Sequence, residues 1–392
     1  MNRKGWTYKK LREVCDLITD GSHNPPKGVE HSSYRMISSQ NVFDDMLVAD
    51  DSNIRFLSEE DYERENKRTR LSENVVLLTI VGAIGRSCVL KESDKYLTLQ
   101  RSVAALHPSS SIESRYLMHC LIGYRKVLEN EAHGAAQKGI YLKQLSSLEI
   151  PLPPKDTQVK IVSELDSLKD SITLLQKQLT DLDELAMSIF YDMFGDPLLN
   201  PMAWPIKKIG DIGNVERGAG ISKKDFVDSG LPCIHYGQLH TSFGPTAYKN
   251  ITFIPSNLLP KYKIAHTGDV IMAITSEDVE GSCKSTAWLG DFDLVVGSDA
   301  AIYHHSINGV YVSYYTMTKA FYIEKEKYAK GFKVTHISAK EIESIPIPIP
   351  PMELQENFAQ KVAAIEDSKA TFNFQIKELQ NLLAARMQYW FD

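Results

Sequence analysis

The 392-residue chain is too long for one ordinary domain and suits two domains of about 150 residues with further segments between them. Its 43% hydrophobic and 24% charged residues are usual for a folded water-soluble protein, which excludes a disordered or fibrous chain. The net charge of -6 excludes a uniformly basic protein that would bind polyanions by total charge alone.

Two further features exclude a membrane protein and a disulfide-rich protein. The most apolar stretch, VVLLTIVGAIG at residues 75–85, is much shorter than the ~20 residues that cross a bilayer, and no signal peptide opens the sequence. The five cysteines are odd in number, scattered and never in a CxxC pair. We therefore expect a cytoplasmic protein with reduced cysteines and no membrane contact.

The first region, residues 1–152, is predicted to form a mixed α/β domain. A polar loop, DGSHNPPKG at residues 20–28, comes first. Strands are then predicted in YRMISSQNV, IRF, VVLLTIVG and LTLQRSVAALH, and helices in SEEDYEREN and SRYLMHCLIGYRKVLENE. The region ends at IPLPP, where the prolines are expected to end a strand and release a helix.

A long helix is predicted over residues 153–195, where apolar residues recur in alternating steps of four and three. Such a heptad stripe on a soluble helix indicates a partner helix. The helix is predicted to stop at FGDP, residues 194–197, because glycine and proline follow each other there. The helix-pairing residues of this segment are Ile161, Leu165, Leu168, Ile172, Leu175, Leu179, Leu182 and Ile189.

The chain then repeats itself at an interval of about 197 residues. GWTYKKL recurs as AWPIKKI, IRFLS as ITFIP, and EIPLPP as PIPIPP, while Gln158 falls on Gln355. Residues 196–349 are therefore predicted to form a second, similar domain, and residues 350–392 a second long helix with the heptad in the same phase. The pairing residues of this second helix are Phe358, Val362, Ile365, Phe372, Ile376, Leu379 and Leu383, and charged Lys369 and Arg386 occupy two further seam positions.

The predicted fold class is α+β, with two similar mixed α/β domains separated by two long antiparallel coiled-coil helices and an internal pseudo-two-fold repeat. The nearest partner for each heptad stripe is the other copy in the same chain, and antiparallel pairing would place the domains at opposite ends. Acidic residues outnumber basic ones in both helical segments, so the domains themselves could be locally basic. Two DNA-binding domains held at a fixed distance by the long helices would suit two short DNA half-sites separated by a gap that is not recognised.

The candidate DNA-contacting residues are polar and basic side chains in or near the loops that follow predicted strands. Glutamine and asparagine can bond bidentately to adenine, and lysine and arginine can bind phosphate or guanine. Polar loop ends are also common without any such role, and the sequence leaves both interpretations open. The candidates are His23, Asn24, Lys27, Ser38, Ser39, Gln40, Asn41, Arg86, Arg101, Lys138, Lys223, Lys224, Tyr236, Gln238, His240, Lys284 and Lys333.

Four segments, taken in order, resemble the specificity subunit of type I restriction-modification systems over essentially the whole chain. They are DGSHNPPKG, GAAQKGIYLKQLSSLEIPLPP, FYDMFGDP with the following NPMAWPIKKIGDI, and ISAKEIESIPIPIPP. The resemblance implies that each domain is a target-recognition domain that reads one part of a bipartite, asymmetric site in double-stranded DNA. In the second copy Lys333-Val334-Thr335 replaces Gln137-Lys138-Gly139, which leaves the transfer of residue roles to that copy open.

The same resemblance implies partners and cofactors outside this chain. Two modification subunits would bind S-adenosylmethionine and methylate adenine, while restriction subunits would use ATP and Mg for translocation and cleavage. NPPK at residues 24–27 is similar to the NPPY signature of adenine methyltransferases, but Lys27 replaces the aromatic residue that stacks on a flipped base. GAG at residues 218–220 is only a fragment of a glycine-rich cofactor loop. We therefore expect neither catalysis nor a bound cofactor in this chain.

Neither the His304-His305 pair nor the acidic cluster Glu277, Asp278 and Glu280 has the ligand spacing of a metal site, so no metal is expected. Two alternatives remain for the function. One is the recognition subunit of a related, type IIB-like system that cuts on both sides of a bipartite site. The other is a duplicated coiled-coil scaffold that does not bind DNA.

Overall fold

The computed structural model describes residues 5–50, 53–133, 138–221, 223–256, 262–329 and 334–391. The chain divides into two compact units. The first unit contains residues 1–175 and 374–392, and the second contains residues 176–373. Each of the two long helices therefore contributes one part to each unit.

The first unit alternates short strands and short helices up to the start of the first long helix. Its elements are β1 (Thr7–Lys10), α1 (Leu11–Val14), β2 (Cys15–Asp20), β3 (Tyr34–Ile37), β4 (Val42–Phe43), β5 (Met46–Leu47), β6 (Arg55–Leu57), α2 (Glu59–Thr69), β7 (Val76–Thr79), β8 (Ser87–Val89), β9 (Leu97–Leu99), β10 (Val103–Pro108), α3 (Ser114–Gly123), α4 (Arg125–Glu131), α5 (Leu142–Ser147), β11 (Glu149–Leu152) and α6 (Lys155–Phe194).

Two small sheets form the framework of the first unit. One is antiparallel, with strand order β2-β10-β7-β8, and the other has the order β6-β3-β9 with β3 parallel to β9. Successive side chains of a strand point to opposite faces, so β10 serves two cores. Ala104 and Leu106 pack in the core that contains α3, whereas Val103 and Ala105 pack against the second sheet.

The second unit repeats most of this order of elements after α6, with some helices and strands exchanged or added. Its elements are β12 (Ile206–Lys208), β13 (Gly213–Arg217), β14 (Leu231–Ile234), α7 (Tyr236–Thr241), β15 (Thr246–Ala247), β16 (Thr252–Ile254), β17 (Lys263–Ala265), β18 (Val270–Ala273), β19 (Thr275–Ser276), β20 (Ser285–Trp288), β21 (Leu294–Val296), β22 (Ala300–His305), α8 (Gly309–Tyr315), α9 (Lys319–Glu326), β23 (Thr335–His336), α10 (Ala339–Glu343), β24 (Pro346–Pro348) and α11 (Met352–Phe391).

The sequence repeat is reproduced in the strand pairing of the two units. Sheets β13-β22-β18-β20-β15 and β16-β14-β21-β17 correspond to the two sheets of the first unit, each with one strand added. Met36 pairs with Thr98 in the first unit, and Cys233 pairs with Val295 at the repeat interval in the second. The two halves therefore share their fold, as the repeat predicted, and the similarity extends to strand register.

Two predicted strands are interrupted in the structure. YRMISSQNV forms β3 only as far as Ile37 and then turns, because the side-chain oxygen of Asn41 accepts a hydrogen bond from the Ser38 amide (2.9 Å). LTLQRSVAALH is split into β9 and β10 by a turn in which the Val103 amide donates to the Gln100 carbonyl (3.0 Å). The prediction of continuous strands was wrong at these two places, because hydrogen bonds within the turns compete with the inter-strand hydrogen bonds of the sheet.

The repeated glutamine after each proline stop ties a long helix to its own unit. Gln158 is buried, accepts a hydrogen bond from the Glu113 amide (2.8 Å) and donates to the Pro153 carbonyl (2.9 Å). Gln355 is buried in the same way, with Asn308 (3.0 Å) and a proline carbonyl (2.8 Å) as its partners. The two glutamines at equivalent positions of the repeat therefore have a structural role, which is to attach each long helix to the backbone of its unit.

Helices α6 and α11 run antiparallel. In the first unit Glu164 pairs with Arg386, and in the second unit Asp183 pairs with Lys369 (2.8 Å). From Glu164 to Asp183 on α6, the residue number of the partner on α11 decreases from 386 to 369, as expected for antiparallel helices. The end of α6 is set by Gly195, whose φ of 75° lies in the left-handed region that glycine adopts without strain.

The seam residues of both helices point inward in the structure. Those buried are Ile161, Leu165, Ile172, Phe358, Val362, Ile365 and Ile376. Those half-buried are Leu168, Leu175, Leu179, Leu182, Ile189, Phe372, Leu379 and Leu383. The charged seam position Lys369 bonds to Glu366 as well as Asp183, and the hydrogen bond from Arg386 lowers the pKa of Glu164. Ion pairs thus replace apolar contacts where the heptad is broken.

Candidate nucleic-acid interface

In the first unit, the polar loops gather where strands β2, β3, β7 and β9 end. Hydrogen bonds join neighbouring loops directly. The Ser22 amide donates to the Leu99 carbonyl (2.7 Å), the Ser39 amide donates to the Ser102 hydroxyl (3.0 Å), and the Ile80 amide donates to the Ser102 carbonyl (2.9 Å). Segments that are far apart in sequence therefore form one continuous polar edge.

The loop at residues 20–28 is held in place by a buried carboxylate. Asp20 accepts hydrogen bonds from Arg68 and from Nε2 of His23 (2.9 Å), and Arg68 also donates to the Asp20 carbonyl (2.9 Å). A Cβ added at Gly21 would lie 2.1 Å from the Leu99 carbonyl oxygen, so the close approach of the two strands requires glycine. His23, Asn24 and Lys27 are exposed on this anchored loop.

A cleft of about 490 Å³ opens beside this loop. Ser38, Ser39, Gln40 and Arg101 line it, and Gln40 and Arg101 are exposed. The cleft thus brings together four of the residues that the sequence proposed separately.

Asn41 stands apart from these neighbours. It is 3% exposed, and its side-chain nitrogen donates to the Val48 carbonyl (3.0 Å) while its oxygen holds the Ser38 amide. The hypothesis that Asn41 contacts a base is contradicted by this arrangement, because both ends of the amide are used to shape the turn. The polar run after the strand did not distinguish this buried turn residue from the exposed ones.

Arg86 and Lys138 lie together in a second depression of about 480 Å³ in the first unit. Arg86 is half-buried with its guanidinium 4.9 Å from the centre of the Phe43 ring, and Lys138 is exposed. Arg125 lines the same depression but is paired with Asp44 (2.7 Å). Lys138 and Arg86 therefore carry the positive charge that faces solvent here.

In the second unit a larger cleft, of about 1010 Å³, opens at the corresponding strand ends. Lys223, Tyr236, Gln238, His240 and Lys284 all line it. Lys224 is exposed next to Lys223 but is not part of the lining, and Lys333 lies outside the described residues. Most of the second-copy candidates thus meet at one place.

Hydrogen bonds fix the shape of this larger cleft. The side-chain oxygen of Gln238 accepts from the His235 amide (2.8 Å), which starts helix α7. His240 donates from Nε2 to the Thr275 carbonyl (3.2 Å), and Lys284 donates to the His240 carbonyl (3.0 Å). Gln238 and His240 therefore hold the loops as well as facing the cleft.

The glycine pair at residues 218 and 220 has a structural explanation. A Cβ at Gly218 would lie 2.3 Å from the Gly297 carbonyl oxygen, which is the same close approach that Gly21 makes at the repeat position. Gly220 has a φ of 62°. The GAG fragment therefore belongs to a tight loop whose glycines are required by the backbone geometry.

Sequence reasoning missed several cleft residues. Arg55 and Gln100 line the first-unit cleft, and Arg55 donates to the Pro26 carbonyl (2.9 Å) and so braces the NPP turn. Gln100 was within reach of the sequence, since it directly precedes Arg101 at a strand end. Lys325 lines the second-unit cleft from below, and nothing in the polar helix KAFYIEKE distinguishes it from a solvated lysine.

The described part of the chain lacks two features that would indicate other functions. No group of three or more His, Cys, Asp or Glu side chains there is arranged to hold a metal ion. Within the same residues, no helix has both the length and the apolar character that a bilayer-crossing segment needs. The acidic residues Glu277, Asp278 and Glu280 are exposed at the rim of the larger cleft.

The fold and the site define a duplicated α+β protein that carries a polar, cation-bearing loop edge on each copy. The comparison with known families is more specific. The chain belongs to the family defined by the type I restriction modification DNA specificity domain, whose model matches residues 3–184 and again residues 201–381. The double match follows the duplication seen in the fold.

Individual relatives agree with this assignment. The chain is 22% identical over 326 residues to the type I restriction enzyme MjaVIII specificity subunit of Methanocaldococcus jannaschii, covering 77% of this chain and 74% of that protein. It is 28% identical over 150 residues to the EcoBI specificity subunit of Escherichia coli, covering 36% and 31%.

Solved structures share the fold. The type I restriction-modification S subunit from M. genitalium matches with a TM-score of 0.54 at 13% identity, covering 99% of this chain and 96% of that one. A chain from a structure on complex assembly and conformational transition of the type I R-M system matches with a TM-score of 0.57 at 16% identity, covering 99% and 98%. Both likenesses extend over both units.

Proposed function

We propose that this protein is a non-catalytic subunit that reads a bipartite, asymmetric sequence in double-stranded DNA. The observation that carries the proposal is that two units with identical strand register present different side chains at the same edge. Because the scaffold is repeated and the loops are not, the two halves would read two different short sequences.

The first unit would read its half-site with the anchored loop and the adjoining cleft. Gln40 and His23 are the exposed side chains suited to hydrogen bonds with base edges, and Lys27, Arg101 and Lys138 suit phosphate contacts. In the second unit Tyr236, His240 and Lys284 occupy the corresponding edge. Membership of the type I specificity family supports the assignment of one half-site to each unit, and the roles of the individual residues are part of the proposal.

The catalytic steps would belong to partner subunits. Two modification subunits would bind S-adenosylmethionine and methylate adenine, and restriction subunits would use ATP and Mg to translocate and cut. The acidic net charge of -6 supports a need for such partners, since phosphate contacts alone would give this chain weak affinity for DNA. A cytoplasmic location is proposed for the same complex.

The proposal is tested with the purified complex of this chain and its modification subunits. Methylation of genomic DNA, read by sequencing, is expected at one bipartite motif, and exchange of residues 1–150 for a homologous domain is expected to change one half of that motif only. A complex that methylates nothing, or only a continuous motif, would contradict the proposal. The chain alone, given S-adenosylmethionine and DNA, should transfer no methyl group.

A further inference from the structure

The two units differ in the connection that follows the central strand of the larger sheet. In the first unit residues 80–86 join β7 to β8, and in the second a longer connection, residues 274–284, joins β18 to β20. We call the longer segment the second-unit loop. It contains β19, which pairs with β23 through Thr275 and His336. The loop forms one wall of the larger cleft.

The second-unit loop is anchored from below by Lys325 of helix α9. This lysine is only 4% exposed. Its ammonium donates to the Glu280 carbonyl (2.8 Å) and to the Ser282 carbonyl (2.5 Å), and it lies 5.4 Å from the centre of the Tyr322 ring. Lysine is seldom buried without partners, because removal of a charge from water is costly. Two convergent carbonyls offset that cost here.

The turn held by Lys325 has a shape that the backbone does not prefer on its own. Cys283 has a φ of 58°, which is unusual for a residue other than glycine. The Ser282 hydroxyl donates to the Val279 carbonyl (2.6 Å) within the same turn. Since two carbonyls of the turn point at one ammonium, the loop conformation depends on that side chain.

The shorter connection of the first unit is held differently. The Thr79 hydroxyl accepts from the Arg86 amide (2.9 Å) and bonds to the Ala83 carbonyl, so the turn is closed from within. The helix at the same point of the repeat, α4, buries Leu128. Arg125 of α4 also donates to the Gly85 carbonyl of this connection (3.2 Å), but its guanidinium is half-buried. The longer loop differs in having a buried ammonium as its anchor.

The loop carries groups whose placement beside DNA matters. Glu277, Asp278 and Lys284 are exposed and line the cleft. One carboxylate oxygen of Asp278 accepts from the Gly281 amide (2.6 Å), so its other oxygen is the one that would meet a base edge. Carboxylates repel phosphate, but they accept hydrogen bonds from the amino groups on base edges in the major groove. Such a loop discriminates between DNA sequences only if it is held so that the carboxylates contact the amino groups of the bases and stay away from the DNA phosphates.

We propose that Lys325 is a positioning residue for DNA sequence recognition by the second unit. Lys325 fixes the second-unit loop so that Glu277 and Asp278 contact base edges and Lys284 contacts the DNA phosphate backbone. This inference rests on the proposed function. Lys325 itself would not touch DNA, because it is covered by the loop that it holds.

The test compares Lys325→Met, which removes the donors, with Lys325→Arg, which keeps them. The matched control is Lys327→Met, because Lys327 is exposed on the protein surface and pairs with Glu324 (2.6 Å). Each variant is purified with the modification subunits. Methylation rates are then measured on duplexes with single base changes in either half of the motif.

For Lys325→Met, discrimination against base changes is expected to fall about tenfold or more in the half that persists when residues 1–150 are exchanged. Discrimination in the other half should stay unchanged. Lys325→Arg should retain most of the discrimination, and Lys327→Met all of it. Amide hydrogen exchange of residues 274–284 should rise in Lys325→Met alone.

Thermal unfolding and assembly with the modification subunits show whether each variant is folded. A folded Lys325→Met complex that discriminates like the wild type overturns the inference, as does equal loss in both halves or loss of folding in both Lys325 variants. If the wild-type complex methylates no bipartite motif, the proposed function fails instead. Hydrogen exchange still reports the anchoring by Lys325 in that case.

Discussion

Asp20 shows how a single buried group organises a reading loop. It is 7% exposed and accepts hydrogen bonds from both Arg68 and His23, so the loop that carries His23, Asn24 and Lys27 is tied to helix α2. Sequence inspection places these residues in a polar loop, but not the arginine 48 positions away that fixes them. The orientation of His23 is a property of this contact.

Replacement of Arg68 by alanine is expected to weaken sequence reading by the first unit. The change leaves the buried Asp20 carboxylate without its cationic partner, at a cost of about 1–3 kcal/mol, and loosens residues 20–28. Discrimination within the first half-site should fall in methylation assays, with the second half-site unaffected. Arg64→Ala on the same helix is the control, because Arg64 pairs with Asp61 and Glu65 of α2 itself; equal effects of the two changes would refute the role of Arg68.

His119 makes the stability of the first unit depend on pH. It is completely buried, its Nε2 donates to Asp166 (2.7 Å), and its Nδ1 has no hydrogen-bond partner within the described residues. Burial lowers the pKa of His119 below its usual 6.5 despite the opposing hydrogen bond to Asp166. The folded protein therefore keeps the imidazole neutral at a pH where the unfolded chain takes up a proton.

The sign of this effect can be measured. Because the folded-state pKa is the lower one, the contribution of His119 to stability is present above pH 6.5 and is lost as the pH falls below it. Between pH 7.5 and 5.5 the melting temperature of wild type should fall more than that of His119→Gln. Other histidines with lowered pKa contribute the same trend in both proteins, so the difference between them is the informative quantity. Parallel curves would contradict the assignment.

At the scale of elements, the long helices combine an apolar seam with outward-facing apolar residues that do not contribute to it. Phe358 of α11 is completely buried, with its ring 5.6 Å from Phe190 and 5.1 Å from Tyr314. Phe374, on the same helix, is 65% exposed. The heptad phase of the sequence distinguishes these two phenylalanines correctly.

The pair provides a matched test of the seam. Phe358→Ala should lower the free energy of unfolding of the protein by about 3–5 kcal/mol, because it leaves a cavity among aromatic rings. Phe374→Ala should change it by less than about 0.5 kcal/mol. Denaturant unfolding followed by tryptophan fluorescence and circular dichroism measures both. Comparable losses from the two substitutions would mean that the seam is not where the heptad puts it.

For the whole molecule, the charge distribution limits what this chain does alone. Basic residues at the candidate interface are exposed, such as Lys27, Lys138 and Lys284, yet the chain as a whole carries a net charge of -6. The relatives named above are specificity subunits of type I restriction enzymes. Both facts support the proposed function, in which this chain contributes sequence selectivity and partner subunits contribute much of the affinity for DNA.

The isolated chain is expected to bind a duplex containing its target weakly, and to lose that binding as salt rises from about 50 to 200 mM. Addition of the modification subunits should strengthen binding and make it less sensitive to salt. Fluorescence anisotropy with target and scrambled duplexes of equal length measures both effects. Tight, salt-insensitive binding by the chain alone would contradict this view.

Patterns in the sequence were enough to predict the division of this protein into domains and long helices. The repeated GWTYKKL and EIPLPP segments, the common heptad phase and the glutamines after the prolines predicted two like domains and two antiparallel helices. This was possible because periodicity and repetition can be recognised in the sequence without knowing which residues are in contact.

The folded structure was needed to show which loops share an edge and which contacts each polar residue makes there. Gln40 and Asn41 are adjacent and chemically alike, but one is exposed in a cleft and the other is buried in a turn. Lys325 looks solvated in sequence and is buried beneath a loop. The reason is physical: the exposure and partners of a side chain depend on strand order and long-range hydrogen bonds, which no local pattern encodes.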